Sequence, residues 1–357
     1  MDKRKDGKNM KKIVLLAVLA AIALTAFASC GNRNQVTLRV FNWGEYNHPD
    51  IPRLFEEETG IAVFLDTFVT NQAMYSRIVD QGAEFDVLFP SDYMIERLIL
   101  EGRLAPLNFD NIPNARYLHH YFFDLPYDPE GRYSMPYMWG MFGILYNTTM
   151  VDEPVYSWEI LWNEQYARQI YMYAAARDTL GVALKLLGHS LNTRDITQLH
   201  AARDLLIAQR PLVRAYQGDL IRDSMIANGA ALAPIFSGCA WYTMGENEDL
   251  NFVVPIEGTQ FFVDAMVIPA TSRRQAEAEQ FINFMMRPDI AFMNAEWIGY
   301  STTNAAALEM LPDDWRESQI YWPTNEILAR GEMFRDLGDF RQEYYDAWMM
   351  VLVGAGG

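Results

Sequence analysis

Aromatic and acidic side chains recur at the ends of apolar segments in this sequence. They occur in the stretches Asn42-Trp43-Gly44-Glu45-Tyr46, Pro90-Ser91-Asp92-Tyr93, Arg177-Asp178, Phe261-Phe262-Val263-Asp264 and Gly299-Tyr300-Ser301. An aromatic face attracts a cation by roughly 0.5 to 2 kcal/mol and covers its methylene groups. A carboxylate neutralises an ammonium group. The repeated combination therefore predicts a box for an alkylammonium ligand.

Each of these stretches also has a less specific explanation. A single aromatic residue is more often part of a hydrophobic core than of a binding site. The carboxylates of Glu45 and Asp264 alternatively fit the acid and base of an exported carbohydrate hydrolase. The sequence shows neither a nucleophile motif nor a metal-ligand set nor a phosphate loop beside them. Five stretches of similar composition favour the cation box over coincidence.

The segments that position these residues alternate between strands and helices. Apolar segments predict strands at 37–41, 61–65, 85–89, 169–173, 231–236, 251–254 and 259–268, and the intervening patterns predict helices at 51–59, 71–79, 177–187 and 195–209. This alternation is typical of α/β lobes, each with a mainly parallel sheet flanked by helices. In such sheets ligands bind at the carboxyl ends of the strands, where the aromatic and acidic residues stand.

The length of the chain indicates two lobes, and their connection indicates a hinge. No linker rich in Pro, Gly or Ser separates them, so we expect the chain to cross between the lobes more than once. A ligand that contacts both lobes would then shift the population towards a closed form. Further along, Ser272 followed by Gln275 has the spacing of a capping box and predicts that a helix begins there.

The first 30 residues have the pattern of a lipoprotein signal. Six basic residues precede an apolar run at 13–27, which ends in Ala28-Ser29-Cys30. We predict a signal peptide at 1–29, lipid modification of Cys30 and a polar tether at 30–35. The alternative is an uncleaved anchor helix with an incidental cysteine. Both place the body of the protein outside the cytoplasmic membrane.

The charge and the cysteine content narrow the possible functions. Residues 1–29 carry six of the 29 basic and two of the 46 acidic residues, so residues 30–357 keep 23 basic and 44 acidic residues. A net charge of about −21 disfavours nucleic acid and favours a cationic partner. Cys239 is predicted to be a small buried hydrophobe. The neighbouring His119 and His120 do not predict a metal site, because their side chains point in different directions.

At these positions the sequence resembles the spermidine/putrescine-binding proteins of bacterial polyamine ABC transporters. The resemblance spans nearly the whole chain after Cys30, in the motifs Phe41-Asn42-Trp43 with Glu45-Tyr46, Glu58-Thr59-Gly60-Ile61, Asp86-Val87-Leu88-Phe89-Pro90-Ser91, Met135-Pro136-Tyr137-Met138-Trp139-Gly140 and Ile298-Gly299-Tyr300. It implies a two-lobed periplasmic-binding-protein fold of type II-like organisation with a polyamine in the cleft. It also implies a monomer that works with a membrane permease, without enzymatic activity, cofactor or nucleic acid.

The resemblance also implies roles for particular residues and bounds for the lobes. Trp43, Tyr46, Tyr93 and Tyr300 are similar to the aromatic walls of the family, and Glu45, Ser91, Asp178 and Asp264 to its polar contacts, with Asp264 on the central ligand nitrogen. Asp178 could instead pair with adjacent Arg177. We place lobe 1 at 36–139 plus 265–309 and lobe 2 at 140–264 plus 310–357. A sensor or adhesin that keeps this fold remains a third alternative.

Several positions depart from the family pattern. Gly44 replaces a hydroxyl residue, Ala175 stands where an Asp is expected, and Phe236 and Phe262 stand where Trp is expected. Phe334 falls near a glutamine that contacts ligand in the family. Phe236 and Phe262 are kept as predicted ligand contacts. The departures predict putrescine or spermidine as ligand rather than the longer spermine.

Overall fold

The computed structural model describes residues 36–354 of the 357-residue chain. The predicted signal peptide 1–29, the lipid-modified Cys30 and the tether 30–35 lie outside these residues. Within 36–354, no helix has both the length and the apolar character needed to cross a membrane.

Strands and helices alternate along the described chain, as the sequence predicts. The strands are β1 Thr37–Trp43, β2 Ala62–Phe68, β3 Val87–Leu88, β4 Ser134–Asn147, β5 Ile170–Tyr173, β6 Val213–Gln217, β7 Leu232–Phe236, β8 Leu250–Val253, β9 Thr259–Val267, β10 Ser301–Thr302 and β11 Gly331–Met333. The α-helices are α1 Ile51–Thr59, α2 Asn71–Tyr75, α3 Asp92–Leu100, α4 Ala176–Leu186, α5 Ile196–Gln209, α6 Ile221–Ile226, α7 Ser237–Glu246, α8 Gln275–Met285, α9 Pro288–Ile298, α10 Ala305–Leu308, α11 Asp313–Arg316, α12 Asn325–Arg330 and α13 Arg341–Val353.

The strands form a continuous path in the order β2-β1-β3-β9-β4-β7-β5-β6. At the two outer ends the pairs are parallel: β1 with β2 and β3, and β5 with β6 and β7. In the middle, β9 and β4 run antiparallel to their neighbours on this path. Parallel units at both ends, joined by antiparallel strands, give the predicted two-lobed α/β fold.

Strand β4 crosses from one lobe to the other. Its first part, from Ser134 to Met141, pairs with β9. Its second part, from Phe142 to Asn147, pairs with β7 and β8. Part of this segment carries the motif Met135-Pro136-Tyr137-Met138-Trp139-Gly140, but no strand of 14 residues was predicted there. The crossing confirms that the lobes are joined by an ordinary strand rather than by a linker.

Each lobe has its own hydrophobic core. One buried cluster joins β1, β3, α1 and α8, and includes Val40, Phe55 and Phe281. Another joins β5, α4, α5 and α13, and includes Leu180 and Trp348. Separate cores let the lobes move as units about the crossing strands.

Two local predictions are wrong in detail. The apolar segment 85–89 forms a strand only at Val87–Leu88. The capping box at Ser272 is absent, because α8 begins at Gln275 without a side-chain cap. The Ser272 hydroxyl instead donates to Asp86 Oδ1 at 2.7 Å and accepts the N–H of Arg274 at 3.1 Å. A buried carboxylate thus competes successfully for the hydroxyl that the spacing assigned to a cap.

Gly143, on the crossing strand β4, is closely packed, and its substitution tests this packing. An added Cβ there would lie well under 3.0 Å from the Phe252 ring and from the Val253 carbonyl oxygen, and the carbonyl belongs to the paired strand β8. We expect Gly143→Ala to lower the free energy of unfolding by about 1 to 3 kcal/mol, the usual cost of overpacking. Gly245→Ala, where nothing lies within 4 Å, is the control and should be neutral or stabilising. Urea unfolding measures both; equal stability of Gly143→Ala and wild type would contradict the crowding.

Candidate ligand-binding site

Asp264 is a buried carboxylate on β9 with incomplete hydrogen bonding. It is 5% exposed, and Tyr46 Oη donates to its Oδ2 at 2.8 Å. Its other carboxylate oxygen, Oδ1, has no hydrogen-bond partner among the described atoms. Burial raises the pKa of Asp264 to about 6, although the nearby hydroxyls of Ser91 and Tyr46 oppose the rise. A carboxylate in this environment favours a cation beside it.

Strand pairing explains how Ser91 reaches this carboxylate. Ser91 precedes α3 and forms an isolated antiparallel bridge with Asp264. Asn71 fixes Ser91 from the other side: its amide nitrogen donates to Ser91 Oγ at 3.0 Å, and its amide oxygen accepts the Ser91 N–H at 3.2 Å. The polar groups around Asp264 are therefore positioned by both local and long-range contacts.

Four aromatic rings form a chain beside Asp264. The ring centroids of Tyr46 and Tyr300 are 5.8 Å apart, those of Tyr300 and Phe262 are 5.6 Å apart, and those of Phe262 and Phe236 are 5.3 Å apart. Each pair meets edge to face, the arrangement that aromatic quadrupoles favour. The structure thus brings together the carboxylate and four of the predicted aromatic residues.

Close packing against α7 fixes the ring of Tyr300. A Cβ at Gly238 would collide with the Tyr300 ring, so this position requires glycine for the approach of the helix. The next residue, Cys239, places its Sγ 3.4 Å from Tyr300 Oη. Desolvation raises the pKa of the Cys239 thiol to about 11, which disfavours a reactive thiolate. The side chain is only partly buried, not fully buried as predicted.

Trp43 and Tyr93 lie at the edges of this arrangement. Trp43 is half-buried, packs against Phe68 and donates its Nε1 hydrogen to the carbonyl of Phe89 at 2.8 Å. Tyr93 accepts a hydrogen bond from Gln72 at 3.2 Å. Their role as walls of the ligand site stays a prediction.

Asp178 occupies a different part of the structure, in the first turn of α4. Burial raises its pKa to about 6, while its own backbone N–H and the charge of Arg177 oppose the rise. No salt bridge joins these neighbours within the described residues. Arg177 instead donates to the carbonyls of Arg335 and Leu191 and to Asn192 Oδ1. The alternative in which Arg177 pairs with Asp178 is therefore not what the structure shows.

Glu45 is not brought into the cluster. Its side chain is exposed, and its backbone has a φ of 53°, in the left-handed region. Its carboxylate forms no hydrogen bond or ion pair with another residue of 36–354. Of the two carboxylates that a hydrolase would need, Asp264 is thus buried and Glu45 is exposed.

Two functional candidates escaped the sequence analysis. Asp92 is 1% exposed, its Oδ2 lacks a hydrogen-bond partner among the described atoms, and burial, reinforced by the charge of Asp264, raises its pKa. Tyr127 is also buried, and its Oη is likewise unpartnered in the part of the chain that is described. Asp92 stood in the cited stretch between Ser91 and Tyr93, but the sequence does not show which of three adjacent polar residues is buried.

The space beside Asp178 is small. It measures about 10 Å³, and Phe334 and Gln260 also line it, so it holds about one water molecule. A larger cavity of about 290 Å³ lies elsewhere, between the segment 109–131 and the start of β4, and contains none of the predicted site residues. Side chains therefore leave little open space beside Asp178. No cluster of His, Cys, Asp or Glu suited to a metal ion occurs within residues 36–354.

Two α/β lobes joined by crossing strands, with a buried carboxylate and aromatic rings where they meet, define a solute-binding protein. Residues 53–321 match the family model of bacterial extracellular solute-binding proteins, and the chain belongs to this family.

Relatives of this chain share nearly its whole length. It is 31% identical over 335 residues to the spermidine/putrescine-binding periplasmic protein of Salmonella typhimurium, and 32% identical over 335 residues to that of Escherichia coli K12; each alignment covers 92% of this chain and 96% of the relative. A crystal structure of the spermidine/putrescine ABC transporter substrate-binding protein PotD from Streptococcus pneumoniae superimposes with a TM-score of 0.81. That protein is 38% identical, and the match covers 89% of this chain and 99% of the other. The predicted family and fold are confirmed.

The raised pKa of Asp264 predicts how stability depends on pH. Its pKa is about 6 in the folded protein and 3.8 ordinarily, so between these values the folded state binds more protons than the unfolded state. The free energy of unfolding therefore falls as pH rises from about 4 to 6, by up to about 3 kcal/mol for this group. We expect the stability of Asp264→Asn relative to the wild type to rise by about 2 kcal/mol between pH 4.5 and pH 7.5.

Urea unfolding of the ligand-free protein at both pH values checks this prediction. Glu45→Gln is the control, because its exposed side chain should leave the pH profile unchanged. If the free energy of unfolding changes with pH equally in Asp264→Asn and wild type, the burial of Asp264 does not raise its pKa.

Proposed function

We propose that this protein captures a polyamine, putrescine or spermidine, in the cleft between its lobes and delivers it to the permease of an ABC importer. The observation that carries the proposal is the buried carboxylate of Asp264, with one unpartnered oxygen and a chain of aromatic rings beside it. An alkyl chain with ammonium groups supplies both the cation and the apolar surface that such a site requires. The names of the relatives support the same ligand class.

The predicted contacts fit distinct parts of such a ligand. In this proposal Asp264, Tyr46 and Ser91 bind one ammonium group, which is the central one if the ligand is spermidine, and Tyr300, Phe262 and Phe236 cover the methylene chain. Asp178 binds a second ammonium, because Arg177 leaves its carboxylate without a salt bridge. Trp43 and Tyr93 close the sides, and Glu45 lies at the rim. The lobe bounds 36–139 plus 265–309 and 140–264 plus 310–357 stay part of the proposal.

The cellular setting belongs to the same proposal. A signal peptide at 1–29 and a lipid on Cys30 would hold a monomeric, extracytoplasmic protein at the membrane beside its permease. Binding without chemistry, cofactor or nucleic acid is the expected activity. A hydrolase is disfavoured by the exposure of Glu45, and a sensor or adhesin gains no support from a particular residue.

Calorimetric titration of the signal-free protein with putrescine, spermidine and spermine tests this function. We expect saturable one-to-one binding with unchanged ligand. Asp264→Asn should weaken binding by roughly 2 to 5 kcal/mol, because a buried ammonium would lose its carboxylate, whereas Glu45→Gln at the exposed rim should cost about 1 kcal/mol or less. Silence towards all three amines would refute the polyamine assignment, and equal effects of the two substitutions would refute the assigned geometry.

The residues that depart from the family predict the length of the ligand. A longer polyamine needs another anion for its additional ammonium, since an unpaired charge in a closed cleft costs several kcal/mol. Ala175 offers no carboxylate, and Phe334 is buried and apolar. We expect spermine to bind at least about tenfold more weakly than the better of putrescine and spermidine, which corresponds to 1.4 kcal/mol.

A substitution in the second lobe checks that explanation. Ala175→Asp adds a carboxylate at the start of α4 and should improve spermidine relative to putrescine. Competition binding of the three amines on wild type and variant gives the comparison. Tightest binding of spermine, or an unchanged spermidine preference in the variant, would show that the ligand does not reach Ala175.

A further inference from the structure

Residues 332–336, here called the strap, are tied to the second lobe by hydrogen bonds. The carboxylate of Glu332 accepts from Lys185 Nζ of α4 at 2.7 Å. The carbonyl of Arg335 accepts from Arg177 Nη1, also of α4, at 2.8 Å. The N–H of Arg335 donates to Asn192 Oδ1 at 2.8 Å. These hydrogen bonds hold the backbone of the strap on the second lobe.

A carboxylate of the first lobe meets the strap from across the cleft. Glu96 lies on α3, and its side chain is only 15% exposed. Arg335 Nε lies 3.1 Å and 3.0 Å from its two oxygens, and Arg335 Nη2 donates to Oε1 as well. The backbone N–H of Asp336 donates to Glu96 Oε2 at 2.7 Å. One carboxylate thus accepts several charge-assisted or backbone hydrogen bonds, a stronger contact than an exposed ion pair.

This contact adjoins the candidate site on both of its elements. On α3, Glu96 follows Tyr93 by three residues, which places the two side chains on one face of the helix. On the strap, Arg335 follows Phe334. The rings of Tyr93 and Phe334 meet edge to face with centroids 6.3 Å apart. The ion pair therefore holds together the segment that carries Tyr93, a predicted wall of the cleft, and the segment that carries Phe334.

We propose that Glu96 and Arg335 form a latch that stabilises the closed cleft and thereby sets how tightly and how long a ligand is held, although neither residue touches the ligand. The apparent affinity of a two-state protein is reduced by the fraction of molecules that are not in the binding-competent state. A contact present only between closed lobes raises that fraction. The latch deepens the proposed function and rests on it; Glu96 and Arg335 act as positioning residues.

Removal of the latch should weaken ligand binding by increasing the rate of ligand dissociation. We expect Glu96→Gln and Arg335→Gln each to raise the Kd of the better-bound amine, putrescine or spermidine, by about tenfold, mostly through faster dissociation. The double variant should be no weaker than either single variant, because one contact is lost in all three. Glu57→Gln, which breaks the exposed Arg53–Glu57 pair, is the matched control and should leave Kd unchanged.

Two further measurements separate the latch from a merely structural role. Small-angle scattering without ligand should show more open molecules in Glu96→Gln and Arg335→Gln than in wild type. Urea unfolding reports general destabilisation, which by itself would not speed dissociation. Unchanged dissociation rates and scattering, or single effects that simply add in the double variant, would overturn the latch. Failure of the wild type to bind any polyamine would refute the proposed function, whereas the scattering comparison would still decide the latch.

Discussion

The free energy of a buried negative charge governs the centre of this molecule. Asp264 lies on β9 and is almost fully buried, and no Lys or Arg of residues 36–354 forms an ion pair with it. Burial of Asp92 nearby adds a second acidic group of raised pKa. Hydroxyl groups lower the desolvation free energy of these carboxylates but do not cancel it, because a hydroxyl group carries no full charge. A ligand cation would compensate the buried charge. The free energy that the empty protein loses by burying this carboxylate therefore favours the binding of cations over neutral ligands.

The same strands carry the site and join the lobes. Strand β9 presents Phe262 and Asp264 and pairs with β4, which crosses between the lobes. Tyr93 on α3 and Phe334 of the strap approach each other from elements outside these two strands. A ligand held first by the crossing strands would then be enclosed by the outer elements. Charge recognition and closure are thus assigned to different parts of the fold.

The sequence predicted the composition of the site better than its geometry. Tyr46 and Ser91 follow the parallel strands β1 and β3, whose carboxyl ends meet at one edge of the sheet. Asp264 lies within β9 and reaches them through strand pairing with Ser91. The full strand β4 was not recognised, since its residues are buried almost throughout and the alternation that marks a half-exposed strand is absent. Exposed Glu45 and buried Asp92 show the remaining limit: each adjoins a predicted contact, but the direction of a side chain depends on backbone angles and long-range packing.

The neighbouring charges at Arg177 and Asp178 bear on the proposed second ammonium site. Backbone carbonyls and Asn192 satisfy Arg177, and its guanidinium lies 4.0 Å from the ring centroid of Phe334. Asp178 therefore keeps a carboxylate without a salt bridge, at a place distinct from Asp264. Aromatic surface from Phe236 and Phe262 lies beside the first carboxylate. Separate anions with apolar surface near them correspond to separate ammonium groups on a methylene chain, a pattern that a single inorganic cation cannot match.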